Sequence, residues 1–454
     1  MSPFQELLAC PRCDAKPLIQ MTDSLSCKSC KNEFPLLDGI PFLFPEPSSS
    51  LGQWRERLHR VIVQYERDAE AIQEELKQPK LLEPTRQRLE HLAKSYTEQV
   101  EKLREVLSPI DITEMRANFE TYMAVQTRLP QRQGLTTYYA NMHRDWCWGE
   151  EENQLAAQQV ISAIGDETPA KILVLGSGGS RLAYDIHQQC KPEMTVALDI
   201  NPLLLLSAKR IMEGEKVELF EFPIAAKNIN QQAVLRELCA PGIVNDGFHF
   251  ILGDALHAPF APGAFDLVIT PWLLDIIPED LRSFVPRINR LLSMGGRWIN
   301  FGSLSFVQEK FSACYNLEEV ALIASESGFQ QFASSEVEMP YMQSPLSRHG
   351  RVESVITTSS RKHKKAAKPK RHTMLPDWIV KGVKPVPLLK LFQTQSMATR
   401  IHAFIMGLVD GNRSVKDMAM ILEQQRLMPK EEAEPAIRSF LTKMYEENLR
   451  PPNF

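Results

Sequence analysis

The chain has 454 residues, of which 43% are hydrophobic, and it carries a formal net charge of −4. Its length exceeds one ordinary domain, and its apolar content is sufficient for a real core. The nearly balanced charge gives no general electrostatic attraction to nucleic acid. No apolar run reaches membrane-spanning length, and the first residues lack the pattern of a signal peptide. We therefore expect a cytoplasmic protein without a membrane partner.

Two cysteine pairs lie near the start, as Cys10-Pro-Arg-Cys13 and Cys27-Lys-Ser-Cys30. Two such pairs, each on its own turn, close a tetrahedral thiolate site. The spacing between them is slightly shorter than usual for a zinc ribbon but long enough for a hairpin. Disulfides are the alternative, and a reducing cytosol disfavours them. We predict a structural Zn²⁺ in a zinc ribbon at 1–47, with no open position for catalysis.

A helical region is predicted next, at 51–133. Apolar residues recur at alternating steps of four and three over 58–76 and again over 89–107. This spacing is typical of the apolar seam of a helix. Prolines bracket the turn between the two runs, so we predict a helical hairpin whose charged faces are solvated.

The stretch from Lys171 to Asp199 is typical of a strand, a glycine turn, a helix and a second strand. The apolar run 172–175 predicts a buried strand, and Gly176-Ser-Gly-Gly-Ser180 follows it directly. Glycines let the backbone turn sharply and approach a ligand at the positive N-terminus of the next helix. A carboxylate at Asp199 can accept from ribose hydroxyls. The pattern predicts an adenosyl cofactor, and the alternative is a nucleotide-free sheet with incidental glycines.

Three more apolar strands are predicted at 250–253, 265–270 and 297–301. Ser180 stands where dinucleotide-binding folds use a third glycine. The whole succession resembles class I S-adenosylmethionine-dependent methyltransferases, which implies an α/β, Rossmann-like sheet. The resemblance also implies that the glycine turn faces the methionine part of the cofactor, that Asp199 holds the ribose and that Asp254 lies beside the adenine.

A closer resemblance begins at an aromatic segment containing Arg144-Asp-Trp146. Aromatic clusters often simply pack in a core. Here the triplet, followed by Gly-Glu, resembles the segment before the cofactor domain in the carnosine N-methyltransferase family. Further matches come in the same order: the Arg181-Leu-Ala-Tyr-Asp tail of the glycine motif, the Thr270–Asp275 segment, Trp298-Ile-Asn, and Tyr341 with the following Pro-Leu-Ser. The resemblance covers about 134–360, the predicted methyltransferase domain.

The two resemblances together imply a set of cofactor-binding residues: Arg144, Trp146, Gly176, Ser177, Gly178, Arg181, Asp199, Ile200, Asp254, Ala255 and Pro271. They imply Asp275 and Tyr341 as catalytic residues that face an imidazole. Two other acceptor positions of the family differ, because its histidine falls near Val307 and its second tyrosine near Glu353. Carnosine itself is therefore not the expected substrate.

The chemistry of methyl transfer requires an aligned nucleophile and an outlet for a proton. A neutral imidazole is nucleophilic, and a carboxylate that accepts its other N–H stabilises the cation that forms. Asp275 follows the fourth strand, where open α/β sheets place their ligands. The alternative role for Asp275 is a helix cap before Pro278. Tyr341 either donates to the substrate or packs.

These observations predict an N-methyltransferase that acts on an imidazole nitrogen of a small histidine-derived compound. One alternative is a peptide- or protein-modifying methyltransferase, and another is a non-catalytic scaffold that binds the cofactor. The sequence around the cysteine pairs, Leu7-Leu-Ala-Cys-Pro11 and 34–41, resembles zinc-ribbon activator subunits of methyltransferases.

A basic segment at 361–374 is expected to be a solvated linker rather than a nucleic-acid arm, because it lacks interleaved aromatic residues. Beyond it, 375–454 is predicted to form a small helical domain with a capped helix start at Ser414. The Asp410-Gly-x-Arg-Ser pattern resembles PqqD-like or winged-helix modules, some of which hold peptides. A domain that only packs or forms a homodimer is the alternative.

Overall fold

The structure is a computed structural model. It describes residues 2–110, 134–244, 246–306, 308, 310–369, 377–380 and 383–449. The chain divides into two compact units, Met1–Thr373 and Met374–Phe454. Within the described residues, no helix has both the length and the apolar character needed to cross a membrane.

An eleven-stranded sheet forms the centre of the first unit, in the order β1-β2-β3-β4-β9-β6-β5-β10-β11-β13-β12. The strands are β1 Ile19–Gln20, β2 Ser24–Ser26, β3 Glu33–Leu37, β4 Ile40–Leu43, β5 Lys171–Leu175, β6 Met194–Asp199, β9 Phe248–Gly253, β10 Phe265–Pro271, β11 Leu292–Gly302, β12 Phe329–Tyr341 and β13 Arg351–Lys362. A separate antiparallel pair contains β7 Val217–Glu221 and β8 Val234–Leu238.

Strands β4, β9, β6, β5, β10 and β11 run parallel, and the β12–β13 hairpin is antiparallel. The central strands are buried on both faces, as expected for parallel strands covered by helices, which explains their unbroken apolar runs. Their carboxyl ends meet at one edge of the sheet. The α/β methyltransferase-like fold predicted from the sequence is confirmed.

Helices cover both faces of this sheet and begin at recognisable caps. Asn201 and Asp280 each accept a backbone N–H at a helix start, and Asn316 forms a capping box with Glu319. Among the described residues, the α-helices of the first unit are Pro3–Leu7, Pro47–Leu76, Glu83–Val106, Tyr139–His143, Glu150–Ile164, Arg181–Cys190, Pro202–Met212, Leu281–Leu291 and Leu317–Glu326, with a π-helical turn at Arg144–Trp148.

The long hairpin Pro47–Leu76 and Glu83–Val106 packs on the sheet and positions the segment that leads into the cleft. Gln99 is completely buried, and its side chain donates to the Tyr139 hydroxyl at 3.0 Å. Tyr139 in turn donates to the Phe220 carbonyl at 2.6 Å. The hairpin therefore holds the helix that precedes Arg144. The remainder of the predicted helical region, 111–133, lies outside the described residues.

The cysteine-rich segment is continuous with the main sheet. Phe42 and Leu43 of β4 pair in parallel with Leu252 and Gly253 of β9. A second contact involves the loop that follows β9, where the Ala9 N–H donates to the Pro259 carbonyl at 2.8 Å. Residues on both sides of the cysteine pairs thus bracket the segment 253–261.

The predicted linker begins later than expected, because Arg361 and Lys362 complete strand β13. Lys362 is 5% exposed, and its ammonium donates to the carbonyls of Asn289 and Leu292, at 2.6 and 2.7 Å. These carbonyls belong to the end of the helix Leu281–Leu291, where a cation is favoured. A basic residue that looks solvated in the sequence is therefore a buried helix cap.

In the second unit, the described residues form the helices Asp377–Val380, Lys390–Gly407, Val415–Gln424 and Lys430–Leu449. Ser414 caps the third of these in a capping box with Asp417, which confirms the predicted helix start. The hydrophobic core of the second unit contains Ile405, Leu408, Met418, Ala419, Leu422, Ala433 and Ile437.

Candidate functional site

A cleft opens where the carboxyl ends of β5, β6, β9 and β10 meet. Ligands of open α/β sheets bind in this position. Most of the cofactor positions predicted from the sequence line it: Arg144, Gly176, Ser177, Gly178, Arg181, Asp199, Ile200, Asp254, Ala255 and Pro271. The predicted acceptor residue Tyr341 lines it as well.

The glycine turn forms the floor of the cleft. Gly176 and Gly178 have φ angles of +70° and +55°, which L side chains rarely adopt. Ser180 also has a positive φ, of 62°, and it begins the helix Arg181–Cys190. The third position of the motif therefore keeps a left-handed backbone although it is not glycine.

The π-helical turn Arg144–Trp148 lies directly against the glycine turn. The indole N–H of Trp146 donates to the Gly179 carbonyl at 2.8 Å, and Arg181 donates to the Asp145 carbonyl at 2.7 Å. The structure corrects the expected role of Trp146, because its side chain is buried behind the turn and its N–H is already used. Trp146 positions the glycine turn.

Gly179 is required by a close approach. A Cβ at this position would lie 2.5 Å from Oδ2 of Asp145, well inside a normal contact. The Asp145 carboxylate is held by an ion pair with Arg144 at 2.6 Å, so it cannot move aside freely.

We therefore expect Gly179→Ala to weaken cofactor binding about tenfold or more, because the turn or Asp145 must shift. Calorimetric titration with S-adenosylhomocysteine measures the effect. Gly52→Ala is the matched control for general glycine effects, since no atom lies within 4 Å of its added Cβ and its φ, like that of Gly179, is not left-handed. Wild-type affinity in Gly179→Ala would contradict the close-packing argument.

Asp199 joins the end of β6 to the glycine turn. Its carboxylate accepts the Gly178 N–H at 2.8 Å and the Asn201 N–H at 2.9 Å. Burial raises the pKa of Asp199 to about 6, while the backbone N–H groups of Asn201, Gly178 and Ile200 act in the opposite direction. The predicted ribose acceptor is thus a buried carboxylate that changes charge within an accessible pH range.

We expect the affinity for the cofactor to fall as the pH drops through about 6. Protonation removes the negative acceptor, so ribose binding loses a charge-assisted hydrogen bond below the pKa and keeps it above. Dissociation constants measured from pH 5 to pH 8 test this. Asp199→Asn should bind weakly with a flat pH profile, and an unchanged profile in that variant would assign the titration to another group.

Asp254 shapes the opposite side of the cleft. Its carboxylate caps the short helical turn Ala255–His257 by accepting the Leu256 N–H at 2.9 Å, and it lies 3.2 Å from His257 Nδ1. The Asp254 side chain is 20% exposed. It therefore serves the local turn while it remains accessible from the cleft.

We call the side of the cleft formed by Trp272 and Tyr341 the acceptor wall. Of the two predicted catalytic residues, Tyr341 lines the cleft and Asp275 does not, although its neighbours Leu273 and Ile276 do. The Tyr341 ring is exposed to the cleft and lies 4.8 Å from the ring of Trp272. Asp275 is 9% exposed, and its Oδ2 accepts the Ser305 N–H at 2.8 Å. The cap of the following helix is Asp280, which accepts the Arg282 N–H, so the alternative of Asp275 as a helix cap is wrong.

Tyr138 is a cleft residue that sequence reasoning did not select. It lines the cleft, has a φ of 64° and is 39% exposed. Burial raises its pKa, and the nearby Tyr341, Asp275 and Asp199 raise it further. Tyr138 therefore lies close enough to Asp199 and Asp275 to interact with both carboxylates electrostatically. Its signal in the sequence was its place at the edge of the aromatic segment.

Two further cleft residues were also missed. Glu152 pairs with Arg144 at 2.9 Å and accepts the Met342 N–H at 3.0 Å, so it links the cofactor side to the end of β12. Asn141 lies three positions before Arg144 on the helical segment and also lines the cleft. The three-residue spacing was a usable signal. Val307, where the family's histidine was expected, lies outside the described residues.

The four N-terminal cysteines form a candidate metal centre. All four Sγ atoms lie within 4.8 Å of one another, with 3.6 Å between Cys10 and Cys30 and 3.5 Å between Cys13 and Cys27. These separations are too long for disulfides and close to the ~3.8 Å edge of a tetrahedron with Zn–S bonds of about 2.3 Å. The donor set fits Zn²⁺ with no open coordination position.

The chain was compared with known protein families and with curated proteins. The family profile described as carnosine N-methyltransferase matches residues 125–351, half of the chain. No curated protein matches significantly.

Three solved structures are among those to which the chain is similar. The N-methyltransferase NodS from Bradyrhizobium japonicum WM9, in complex with S-adenosyl-L-homocysteine, is 12% identical with a TM-score of 0.33, over 50% of this chain and 98% of its own. Phosphoethanolamine N-methyltransferase 2 from Haemonchus contortus is 14% identical with a TM-score of 0.33, over 51% of this chain and 58% of its own length. The complex of the Haloferax volcanii Trm112 methyltransferase activator with a methyltransferase is 12% identical with a TM-score of 0.34, over 52% of this chain and 100% of its own.

The match to the family profile spans the segment that builds the cleft, from the residues before Tyr138 to Arg351. The resemblance seen in the sequence is confirmed. The chain belongs to the carnosine N-methyltransferase family and is an S-adenosylmethionine-dependent methyltransferase.

Proposed function

We propose that the protein methylates an imidazole nitrogen of a small histidine-derived compound. The observation that carries this proposal is the setting of Asp275, a carboxylate four residues past the end of β10 that is oriented by the Ser305 N–H. A fixed carboxylate beside the acceptor wall suits a nucleophile that has a second N–H to donate, and imidazole is such a nucleophile.

Residues of the cleft are assigned by what they can contribute. The backbone turn at Gly176–Gly178 and the Arg144 side chain would hold the amino-acid part of S-adenosylmethionine, and Asp199 and Asp254 would hold its nucleoside. When bound, this cofactor supplies an electrophilic methyl group on a sulfonium. The protein itself excludes water and aligns the acceptor nitrogen behind that methyl group.

Asp275 has two roles in this proposal. Before transfer it accepts the N–H of the imidazole, which selects the tautomer whose other nitrogen carries the lone pair. During transfer a positive charge develops on the ring, and the nearby carboxylate stabilises it. The Trp272 and Tyr341 rings, tilted by 51° to each other, form an aromatic wall against which an imidazole can pack.

The cysteine centre is assigned a structural role. We propose that Zn²⁺ bound to Cys10, Cys13, Cys27 and Cys30 holds the ribbon against the segment 253–261. The backbone pairings of β4 with β9 and of Ala9 with Pro259 support this role, since they flank Asp254 and Ala255. Residues 1–47 would then be a zinc ribbon that is an integral part of the methyltransferase unit.

The proposal is tested by incubating the purified protein with labelled S-adenosylmethionine and a panel of histidine compounds, histidine-containing peptides and non-imidazole amines. Transfer to small imidazole compounds is expected, and it should persist in a variant that lacks 374–454, the second compact unit. Transfer to peptides alone, lost on that deletion, would instead support a peptide-modifying enzyme. Binding of the cofactor without any transfer would overturn the proposal.

A further inference from the structure

The β12–β13 hairpin extends past its neighbour β11 and forms the far wall of the cleft. The last pair between β11 and β13 is Gly302 with Ile356, so residues 351–355 project beyond β11. In this projection Met339 pairs with Glu353, and Tyr341 pairs with Arg351. Residues directly opposite in an antiparallel pair share one face of the sheet. Met339 and Tyr341 line the cleft, which places Arg351 and Glu353 on the cleft face.

Contacts within this group agree with that placement. The Arg351 guanidinium lies 4.5 Å from the centroid of the Tyr341 ring. Its Nε is 2.5 Å from Oε1 of Glu353, and the two side chains are 57% and 20% exposed. The acceptor wall therefore ends in a cation and an anion side by side.

Both groups keep free binding capacity. Among the described residues, the terminal nitrogens of Arg351 and the second carboxylate oxygen of Glu353 have no hydrogen-bond or ion-pair partner. A guanidinium edge binds a carboxylate through two parallel hydrogen bonds, and a carboxylate oxygen accepts from an ammonium. The pair thus presents complementary groups for a ligand that carries both charges.

We propose that the Arg351–Glu353 pair selects a zwitterionic α-amino acid, so that the methyl acceptor is free histidine or a close analogue with unblocked α-amino and α-carboxyl groups. This inference rests on the proposed function. The carboxylate pairs with Arg351 and the ammonium with Glu353, while the imidazole extends towards Trp272 and Asp275.

The distance between the two charges discriminates between substrates. In an α-amino acid, the ammonium and the carboxylate are attached to the same carbon, which matches side chains that are 2.5 Å apart. In a β-alanyl dipeptide such as carnosine, the ammonium is several bonds further away, so the pair can meet only the carboxylate. A blocked amine leaves Glu353 without its partner, and a partner left unpaired is the strongest source of discrimination.

The test compares histidine, N-acetylhistidine, histidinamide and carnosine at saturating cofactor. Histidine should have the highest kcat/KM, and each blocked compound should be about tenfold or more poorer, mainly through KM. Glu353→Gln should remove the penalty for N-acetylhistidine, and Arg351→Gln should remove the penalty for histidinamide. Glu338→Gln is the matched control, because Glu338 is exposed on the opposite face of the same hairpin.

Calorimetric binding of the same compounds to protein loaded with S-adenosylhomocysteine separates the two proposals. Histidine binding that is lost on acetylation or amidation, without any methyl transfer, would support the amino-acid site and overturn the imidazole chemistry. Equal kcat/KM and equal affinity for all four compounds, or a preference for carnosine, would overturn the amino-acid site and leave the imidazole chemistry standing. Failure of histidine both to bind and to react would overturn the inference.

Discussion

Asp275→Asn is expected to lower kcat about 100-fold or more while the affinity for S-adenosylmethionine stays unchanged. Asparagine keeps the shape of the side chain and an oxygen that can accept the Ser305 N–H, so the loop after β11 should stay in place. It removes the negative charge that would stabilise an imidazolium. Single-turnover kinetics with the best acceptor of the panel, together with cofactor titration, measure the two quantities separately.

Asp280→Asn is the matched control for this substitution. Asp280 lies five positions later, caps the helix Leu281–Leu291 and accepts from the Tyr315 hydroxyl at 2.9 Å. Its replacement should cost about 1 kcal/mol of stability and leave kcat unchanged. Turnover of Asp275→Asn at the wild-type rate would remove Asp275 from the chemistry, and equal losses in both variants would indicate a general effect on the fold.

Removal of the metal is expected to have the second large effect. Cys10→Ser should abolish stoichiometric zinc, lower the melting temperature and weaken cofactor binding about tenfold, within the usual range of coupling between two sites. Cys10 and Cys27 lie in the same apolar core as Ala255, Leu256 and Phe260. Loss of the metal would loosen that core next to the nucleoside side of the cleft.

Metal analysis, thermal unfolding and calorimetry on the same preparation provide the three readouts. Cys314→Ser is the matched control, because Cys314 is exposed and remote from the cluster in sequence. A zinc-free Cys10→Ser protein with the wild-type melting temperature and cofactor affinity would show that the ribbon needs no metal to support the cleft.

Local patterns in the sequence predicted the parts of the site that depend on local conformation. The glycine turn, Asp199 at the end of β6 and the paired cysteines all lie where the sequence placed them. These features are set by short segments whose backbone demands can be read directly, such as a positive φ at Gly176 or a hairpin between two cysteine turns.

Features that depend on pairing between distant segments could not be predicted from the sequence. The insertion of β4 beside β9 requires a partner far along the chain, and nothing in 40–43 specifies it. Lys362 looked solvated because its two carbonyl partners lie at the end of a helix about 70 residues earlier in the chain. The position of Arg351 and Glu353 on the cleft face follows only from the strand register, which places them opposite Tyr341 and Met339.

The pairing of β4 with β9 also has a consequence for the folding of the protein during synthesis. The ribbon is synthesised before β9, so its strand β4 remains without its partner until β9 has left the ribosome. Expression of 48–454 alone would leave the backbone edge of β9 bare, and a bare edge recruits strands from other molecules. We therefore expect such a truncated chain to aggregate during refolding and to regain solubility when the ribbon is supplied as a separate polypeptide.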